Sequence, residues 1–472
     1  RSSDLRVDRG RDQRLMETAP SPLSVCRKVL DRGRRSRAAL EAYVEMGRTV
    51  TIKVFSGRVE AVTVAEPRGL GVRAVAEGKV GYAFTADFSG EGIDRVVRQA
   101  VANLEVVDPD LFAGLPEGGS WAYPKLEGLW QPGVGATSVG EKSRLAVRAE
   151  QAALAVNMVE AVEESVYADE ETRVAIASTT GIEAESERST CHLWVLAHAG
   201  SGINRQSGLG FTASREPAGL EPEEAGREAG VKASSLVGAE PCQTGTYTVV
   251  FDREVVAALL AYLVQALSAD AVQKGKSVFA GKRGERLGSP LVTLTDDGLA
   301  AGGLATNPFD GEGIPRGRTE LLSAGVLLSY LHTCYTARKA GIAPLTIGNA
   351  NRASYRVPPR VGTSNLVLRE GSGTLLDLVG RVGDGLYVDS ATGLHSGVNP
   401  VSGEISIGVT GRLIEGGALG RPVREVTVAT DFVSLLGGVN DLAADGRWIP
   451  LYGSAYVPSV AVTGIAVAGT EK

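Results

Sequence analysis

Apolar and polar residues alternate repeatedly through residues 49–88, "TVTIKVFSGRVEAVTVAEPRGLGVRAVAEGKVGYAFTADF". Val50, Ile52 and Val54 fall on one face of the first run, and Val62 and Val64 on one face of the next, which is the two-residue period of a strand. Turn signals at Ser56-Gly57, Pro67-Arg68-Gly69 and Glu77-Gly78 cut the segment into about four strands of an antiparallel meander. Ahead of it, a short opening helix is expected over residues 24–46. After it the period changes. Ile93, Val96, Val97, Ala100, Val101 and Leu104 recur at helical spacing behind a Ser89 cap. Ser138 with Glu141 three residues on forms a capping-box pattern, and the helix it opens is expected to run to about residue 165. Two more strands are expected near 172–178 and 191–198.

Residues 211–243, with "REPAGLEPEEAGREAG", are polar and rich in Pro, Gly and acidic side chains. They predict a surface helix and a domain boundary ending near Thr244. Beyond Thr246 the chain again reads as many short strands with glycine turns, among them "YTVVF", "TSNLVLREG", "GLYVD", "GEISIGVTGRLIEGG" and "SVAVTGIAVAG". The one long apolar helix there lies in "VVAALLAYLVQALSADAVQKGKSVFAG", residues 255–281. The pattern therefore predicts an α+β protein of two domains: a mixed α/β sheet domain over 21–240, and a mainly antiparallel β barrel or sandwich over 241–472. The first twenty residues, charge-rich and preceding the globular pattern, are expected to be a disordered leader or cloning remnant.

Composition sharpens this reading. In 472 residues there are 60 glycines without a Gly-X-Y period and only 9 Phe and 4 Trp, so the core is built from Val, Leu and Ala around tight turns. A formal charge of −6 and pI near 5.6 offer no attraction to nucleic-acid phosphates or an anionic membrane surface. No stretch reaches the 18 or so apolar residues of a membrane span and no signal peptide opens the chain, so a cytoplasmic location is expected. Cys26, Cys191, Cys242 and Cys334 lie far apart and read as reduced structural thiols.

Candidate chemistry is sparse. The four histidines are His192, His198, His332 and His395, and no H-E-x-x-H or H-E-x-x-x-H occurs. His192 and His198 share a strand face, but six residues at about 3.3 Å place them roughly 20 Å apart, too far for one metal. Gly275-Lys276-Ser277 looks like the end of a phosphate loop, yet Asp270 stands where that motif needs glycine and the tripeptide ends a helix rather than starting one. Asp296 and Asp297 are neighbours on a strand, point to opposite faces and fit a turn better than a proton-sharing pair. What remains is "SYLHTCYTARKAG", residues 329–341, which gathers His332, Cys334, Tyr335, Arg338 and Lys339. On a strand, His332 and Cys334 would share a face and suggest a thiol nucleophile; packing and contact with substrate or a partner is the other reading.

The second half carries phrases that belong together: "ERLGSPLVTLTDDG", "NPFDGEGIPRGRTELLSAGVLLSYLHTCYTARKAG", "GTLLDLVGRVGDGLYVDSATGLHSGVNPVSGEISIGVTGRLIEGG" and "YGSAYVPSVAVTGIAVAG". They resemble the TldD/PmbA family, once described as modulators of DNA gyrase, and the likeness extends more loosely over roughly residues 25–470. The resemblance implies two related subunits in a heterodimer. One, TldD, carries H-E-x-x-x-H and a later Cys that hold zinc in a peptidase trimming unfolded or modified peptides; the other is TldE (PmbA). Aligned on "KGKSVFAG" and "GSPLVTLTDDG", Ala261 and Ala266 stand where the two His would be, Tyr262 where the Glu would be, and Tyr452 at or beside the Cys. The resemblance therefore implies a TldE/PmbA-type subunit with no catalytic or metal-binding residues and no cofactor of its own. Zinc is expected on a TldD-like partner, with a peptide substrate in a shared chamber. Two other readings stay open: a homodimeric peptide-binding scaffold, and a subunit tailoring a peptide or small metabolite through His332, Cys334 and Tyr335.

Overall fold

In the computed structural model, the structure describes residues 20–119, 121–342, 348–450 and 453–469. Residues 1–19 of the expected leader, and Tyr452, lie outside the described residues.

The alternation at 49–88 folds as four antiparallel strands: β1 (Ala39–Phe55), β2 (Arg58–Ala65), β3 (Arg68–Ala76) and β4 (Lys79–Thr85). Ser56-Gly57 and Glu77-Gly78 all take positive φ, the backbone that two-residue hairpins require. With β5 (Val159–Ser178), β6 (Glu183–Ala199) and β7 (Gln206–Ser214) they form one seven-stranded sheet, ordered β4-β3-β1-β5-β6-β7, with β2 on the far half of β1. β2 is exposed along its whole length.

Two expectations are corrected. The helix expected over 24–46 is α1 (Pro22–Gly33), and the chain is strand from Ala39. Residues Ala39–Met46 pair with β3 on one side, and from Glu41 with β5 on the other; α1 covers Leu40, Ala42 and Val44 on one face, and Tyr355 and Arg352 meet Tyr43 and Glu41 on the other, so all five are buried and the two-residue alternation disappears from the sequence. α2 (Gly90–Ala102) forms as read, with the Ser89 hydroxyl accepting from Gly92 N–H at 3.1 Å. α3 (Val139–Leu154) has its Ser138–Glu141 capping box but stops well short of residue 165. The strand β5 begins at Val159, because pairing with β1 and β6 claims those residues, Ser165 lying opposite Val54. The strands expected at 172–178 and 191–198 are the C-terminal parts of the longer β5 and β6.

α1 and α2 cover one half of one sheet face, over Leu40, Val44, Leu70 and Val72. α3 and α4 (Pro222–Ser235) cover the other half, over Val50, Ile52, Leu193 and Val195. α4 is less of a surface helix than expected, since Ala225, Gly226, Ala229, Gly230 and Ala233 form a buried stripe. Small residues allow this close seat: a Cβ on Gly210 of β7 would lie 2.0 Å from the Ala225 carbonyl.

The later chain supplies β8 (Gly245–Phe251), β9 (Leu294–Asp297), β10 (Arg318–Ser323), β11 (Val326–Leu327), β12 (Ala350–Asn351), β13 (Arg360–Val361), β14 (Asn365–Leu368) and β15 (Gly385–Thr392). There follow β16 (Glu404–Glu415), β17 (Ala418–Asp431), β18 (Val439–Leu442), β19 (Arg447–Ile449), β20 (Ser454–Val457) and β21 (Val460–Ala468). One six-stranded sheet runs β17-β16-β15-β8-β21-β18, and a further β17–β21 pairing curls it into a partial barrel. The other runs β11-β10-β9-β14-β20-β19. The pairing is antiparallel as expected, except for the parallel pairs β8–β15 and β14–β20. α5 (Arg253–Ala266) is the apolar helix, and its Val255, Leu259, Leu260 and Leu263 join one core with Leu294 and Leu366 of the second sheet and Leu386 and Val462 of the first. Among the described residues no helix is long and apolar enough to cross a membrane.

Candidate functional site

α5 begins at Asp252, whose carboxylate accepts from Glu254 N–H at 3.1 Å. At its other end the Ser277 hydroxyl donates to the Ala266 carbonyl at 2.5 Å and accepts from Phe279 N–H. The Gly275-Lys276-Ser277 tripeptide thus closes a helix end, as its place in the sequence indicated. Ala266 is fully buried, while Ala261 and Tyr262 are half-buried, with Gln265 exposed beside them. The helix carries no His, Cys or Asp, and its single carboxylate, Glu254, lies a turn or more from these positions, in an ion pair with Lys232. Among the described residues no group of three or more His, Cys, Asp or Glu is placed to hold a metal ion. The donor set at this helix therefore does not fit zinc, which needs three or four N, S or O ligands converging on one point.

The 329–341 segment is not a strand at its centre. Cys334–Lys339 is a short helix capped by Thr333, so His332 and Cys334 do not share a strand face. His332 Nδ1 sits 3.2 Å from the Thr336 hydroxyl, and burial lowers its pKa to about 4. Cys334 is buried; desolvation first, and the Glu312 and Asp310 carboxylates next, push its thiol well above the ordinary range. A thiol so held is protonated and a poor nucleophile. Tyr335 donates to the Asp110 carboxylate at 2.8 Å, and Arg338 donates to the Phe112, Gly114 and Leu115 carbonyls. Both side chains tie this helix to the loop after α2.

The other acidic and histidine candidates are separate. Asp296 is buried and accepts from Ser364 N–H, Ser364 Oγ and Asn349 Nδ2, whereas Asp297 turns away to cap Leu299 N–H. His198 bridges the Glu163 carboxylate (2.7 Å) and the Ser207 hydroxyl (2.9 Å) at the far end of the first sheet. His192 is buried enough to lower its pKa, and His395 is exposed.

Sequence reasoning missed two charge networks, one buried and one half-buried. In the first, Glu41 pairs with Arg73 and Arg352, and Arg73 continues to Glu312 at 3.2 Å, whose other oxygen accepts from Cys334 N–H. Burial alone would raise the Glu41 pKa, but Arg352 and Arg73 more than offset it and hold it low. Neighbouring Asp310 is raised to about 7 by burial and by Glu312. In the second, Lys232 of α4 pairs with Glu228 (3.1 Å) and with Glu254 of α5, while Arg447 reaches both carboxylates and stacks on Phe211 at 4.3 Å. Asp389 nearby is raised to about 7, by burial first and Asp252 second. Perturbed carboxylates of this kind mark either chemistry or structural locks. Here each lies beside an ion-pair network joining the first sheet and its helices to the later chain.

Against known proteins, the sequence profile of the PmbA/TldA metallopeptidase domain 1 matches residues 40–104, the central domain 133–237 and the C-terminal domain 244–469. The chain is 27% identical over 397 residues to the metalloprotease PmbA of Escherichia coli O157:H7, covering 82% of this chain and 84% of that protein. It superposes on the crystal structure of a suggested modulator of a DNA gyrase from Thermotoga maritima with a TM-score of 0.87, at 27% identity, over 94% of this chain and 99% of that one. It shares the fold of TldE from Thermococcus kodakarensis, with a TM-score of 0.84 at 20% identity, over 94% of this chain and 99% of that one. With profiles for all three parts matched in order along most of its length, the chain belongs to the PmbA/TldD metallopeptidase family.

Proposed function

We propose that this chain is the non-catalytic, TldE/PmbA-type subunit of a heterodimeric zinc peptidase that trims unfolded or modified peptides. The observation that carries the reading is the chemistry of α5, which presents Ala261, Tyr262 and Ala266 where the resemblance calls for ligands and a general base. A water activated by zinc needs the metal's charge to lower its pKa and a carboxylate to take its proton. On this reading both come from a TldD-like subunit carrying H-E-x-x-x-H. This chain contributes the opposing wall of the chamber, shaping access and holding an extended peptide through backbone hydrogen bonds.

The test is reconstitution. The isolated chain is expected to bind less than about a tenth of an equivalent of zinc and to leave unfolded peptides intact. Mixed with a TldD-type chain it is expected to form a stable complex in size-exclusion chromatography, with peptidase activity that a chelator abolishes. Peptide cleavage by the isolated chain, insensitive to chelators, would overturn the assignment.

A further inference from the structure

Between residues 124–130, the ends of β5 and β6, and Pro308 lies a cavity of about 660 Å3, well within the size range of small-molecule sites. None of its lining residues belongs to α5 or to the 329–341 segment. Its wall is fixed in place: Ser189 N–H of β6 donates to the Leu129 carbonyl at 2.8 Å, and Gln131 N–H donates to the Ser189 hydroxyl at 2.9 Å. The lining combines the apolar Leu129, Trp130 and Pro308 with the charged Arg173, Glu185 and Glu187.

The charges do not balance. Glu187 pairs with Arg173 at 3.3 Å, and the adjoining Glu183 pairs with Arg27. The carboxylate of Glu185, an exposed residue, has no hydrogen-bond or ion-pair partner among the described residues, and it lines the cavity. Burial first and Glu187 second raise its pKa, with Arg173 and Arg27 opposing, and the lining holds two carboxylates to one guanidinium. The protein itself shows what such a site accepts: the Arg173 guanidinium lies over the Trp130 ring at 5.1 Å while facing Glu187, an aromatic face and a carboxylate holding one cation between them. An anion would meet the Glu185 carboxylate, and an apolar group alone would desolvate it without a partner.

We propose that this cavity binds a basic side chain of a peptide, a lysine or arginine whose cation meets Glu185 while its stem and an apolar neighbour lie against Trp130, Leu129 and Pro308. A lone small amine would leave most of a cavity this large unfilled, and would gain nothing from the apolar wall.

The proposal is tested on the full chain alone, so its outcome does not depend on a second subunit. Binding of the blocked tetrapeptide Ac-Gly-Leu-Lys-Gly-NH2 is followed by calorimetry, beside the norleucine analogue Ac-Gly-Leu-Nle-Gly-NH2 and cadaverine. The lysine peptide is expected to bind at least tenfold more tightly than either. Glu185→Gln is expected to weaken it about five- to tenfold, Trp130→Leu by a similar factor, and a rise in salt should weaken it further. Unchanged melting of both variants establishes that the fold is intact. Equal affinity for lysine and norleucine peptides, or no effect of Glu185→Gln, overturns the proposal. Cadaverine binding as tightly as the peptide replaces the peptide assignment with a small-amine site.

Discussion

Glu41→Gln is the sharpest test of how the first sheet is held to the rest of the chain. Glu41 stands on β1 with about 1% of its side chain exposed, and its two oxygens face Arg73, 9% exposed, and Arg352, 1% exposed. The amide keeps the shape but removes the charge, leaving Arg352 buried without a carboxylate and Arg73 with Glu312 alone. Breaking one partner of a buried ion pair costs about 3–5 kcal/mol. The Tyr43 ring, 4.6 Å from the Arg352 guanidinium, lies against it in both proteins and so leaves the difference unchanged. The expectation is a loss of about 3–5 kcal/mol at pH 7, read from urea unfolding followed by tryptophan fluorescence. Because the arginines and carboxylates come from both parts of the chain, the transition should also broaden as the two parts separate. The pH dependence has a definite sign. Glu41 is held below its ordinary pKa of 4.5 in the folded state, so its contribution is complete above pH 4.5 and is lost as pH falls through the depressed folded value. The gap between the proteins should therefore be flat from pH 5 to 8 and narrow in acid. A loss under about 1 kcal/mol, or a gap that acid does not narrow, would refute the reasoning.

Two further outcomes follow from the packing around α4. Lys232→Met removes the ammonium facing Glu228 and Glu254; burial, with the Asp252 and Glu228 carboxylates, already raises Glu254 against the opposing Lys232, and the change raises it further. A carboxylate raised in the folded state penalises folding above its unfolded pKa, so the deficit, about 2–3 kcal/mol at pH 8, should shrink as pH falls toward 5; a constant offset across a melting series counts against it. Gly226→Val would place a Cβ 2.0 Å from the Ala149 carbonyl of α3 and should cost about 3 kcal/mol. Gly140→Ala, in the first turn of α3 with nothing within 4 Å of the new Cβ, should be neutral or slightly stabilising, and equal melting shifts for the two would contradict the close helix crossing.

The parts of this fold that were legible in sequence are those decided locally. The β1–β4 turns need positive φ at Gly57 and Gly78, and the Ser89 and Ser138 caps each satisfy backbone donors within three residues. The misread parts are those decided across the chain. Residues 39–46 look helical because both faces of this strand are covered, by α1 on one side and by Tyr355 and Arg352 on the other, and α4 looks exposed because its buried stripe is Ala and Gly, which carry little apolar signal. The site shows the same division. That α5 lacks ligands is plain from its residue types. That Cys334 is held protonated by burial first, and by Glu312 and Asp310 next, depends on contacts between distant segments. The cavity at Trp130 was equally hidden, because its walls come from four separate stretches of chain.

The curled six-stranded sheet sets an order of events during synthesis. β8, made near residue 245, is paired on one side by β15 and on the other by β21, which is made after every other strand. β17 waits for β21 as well. The seven-stranded sheet, by contrast, is complete once β7 has emerged at residue 214, and domains tend to fold in the order they leave the ribosome. The first sheet can thus be native while β8 and α5 still lack their neighbours. During translation the later half would hold the unsatisfied edges of β8 and the apolar helix α5 open together. That places the greatest need for a chaperone in the interval between residue 266 and the arrival of β21.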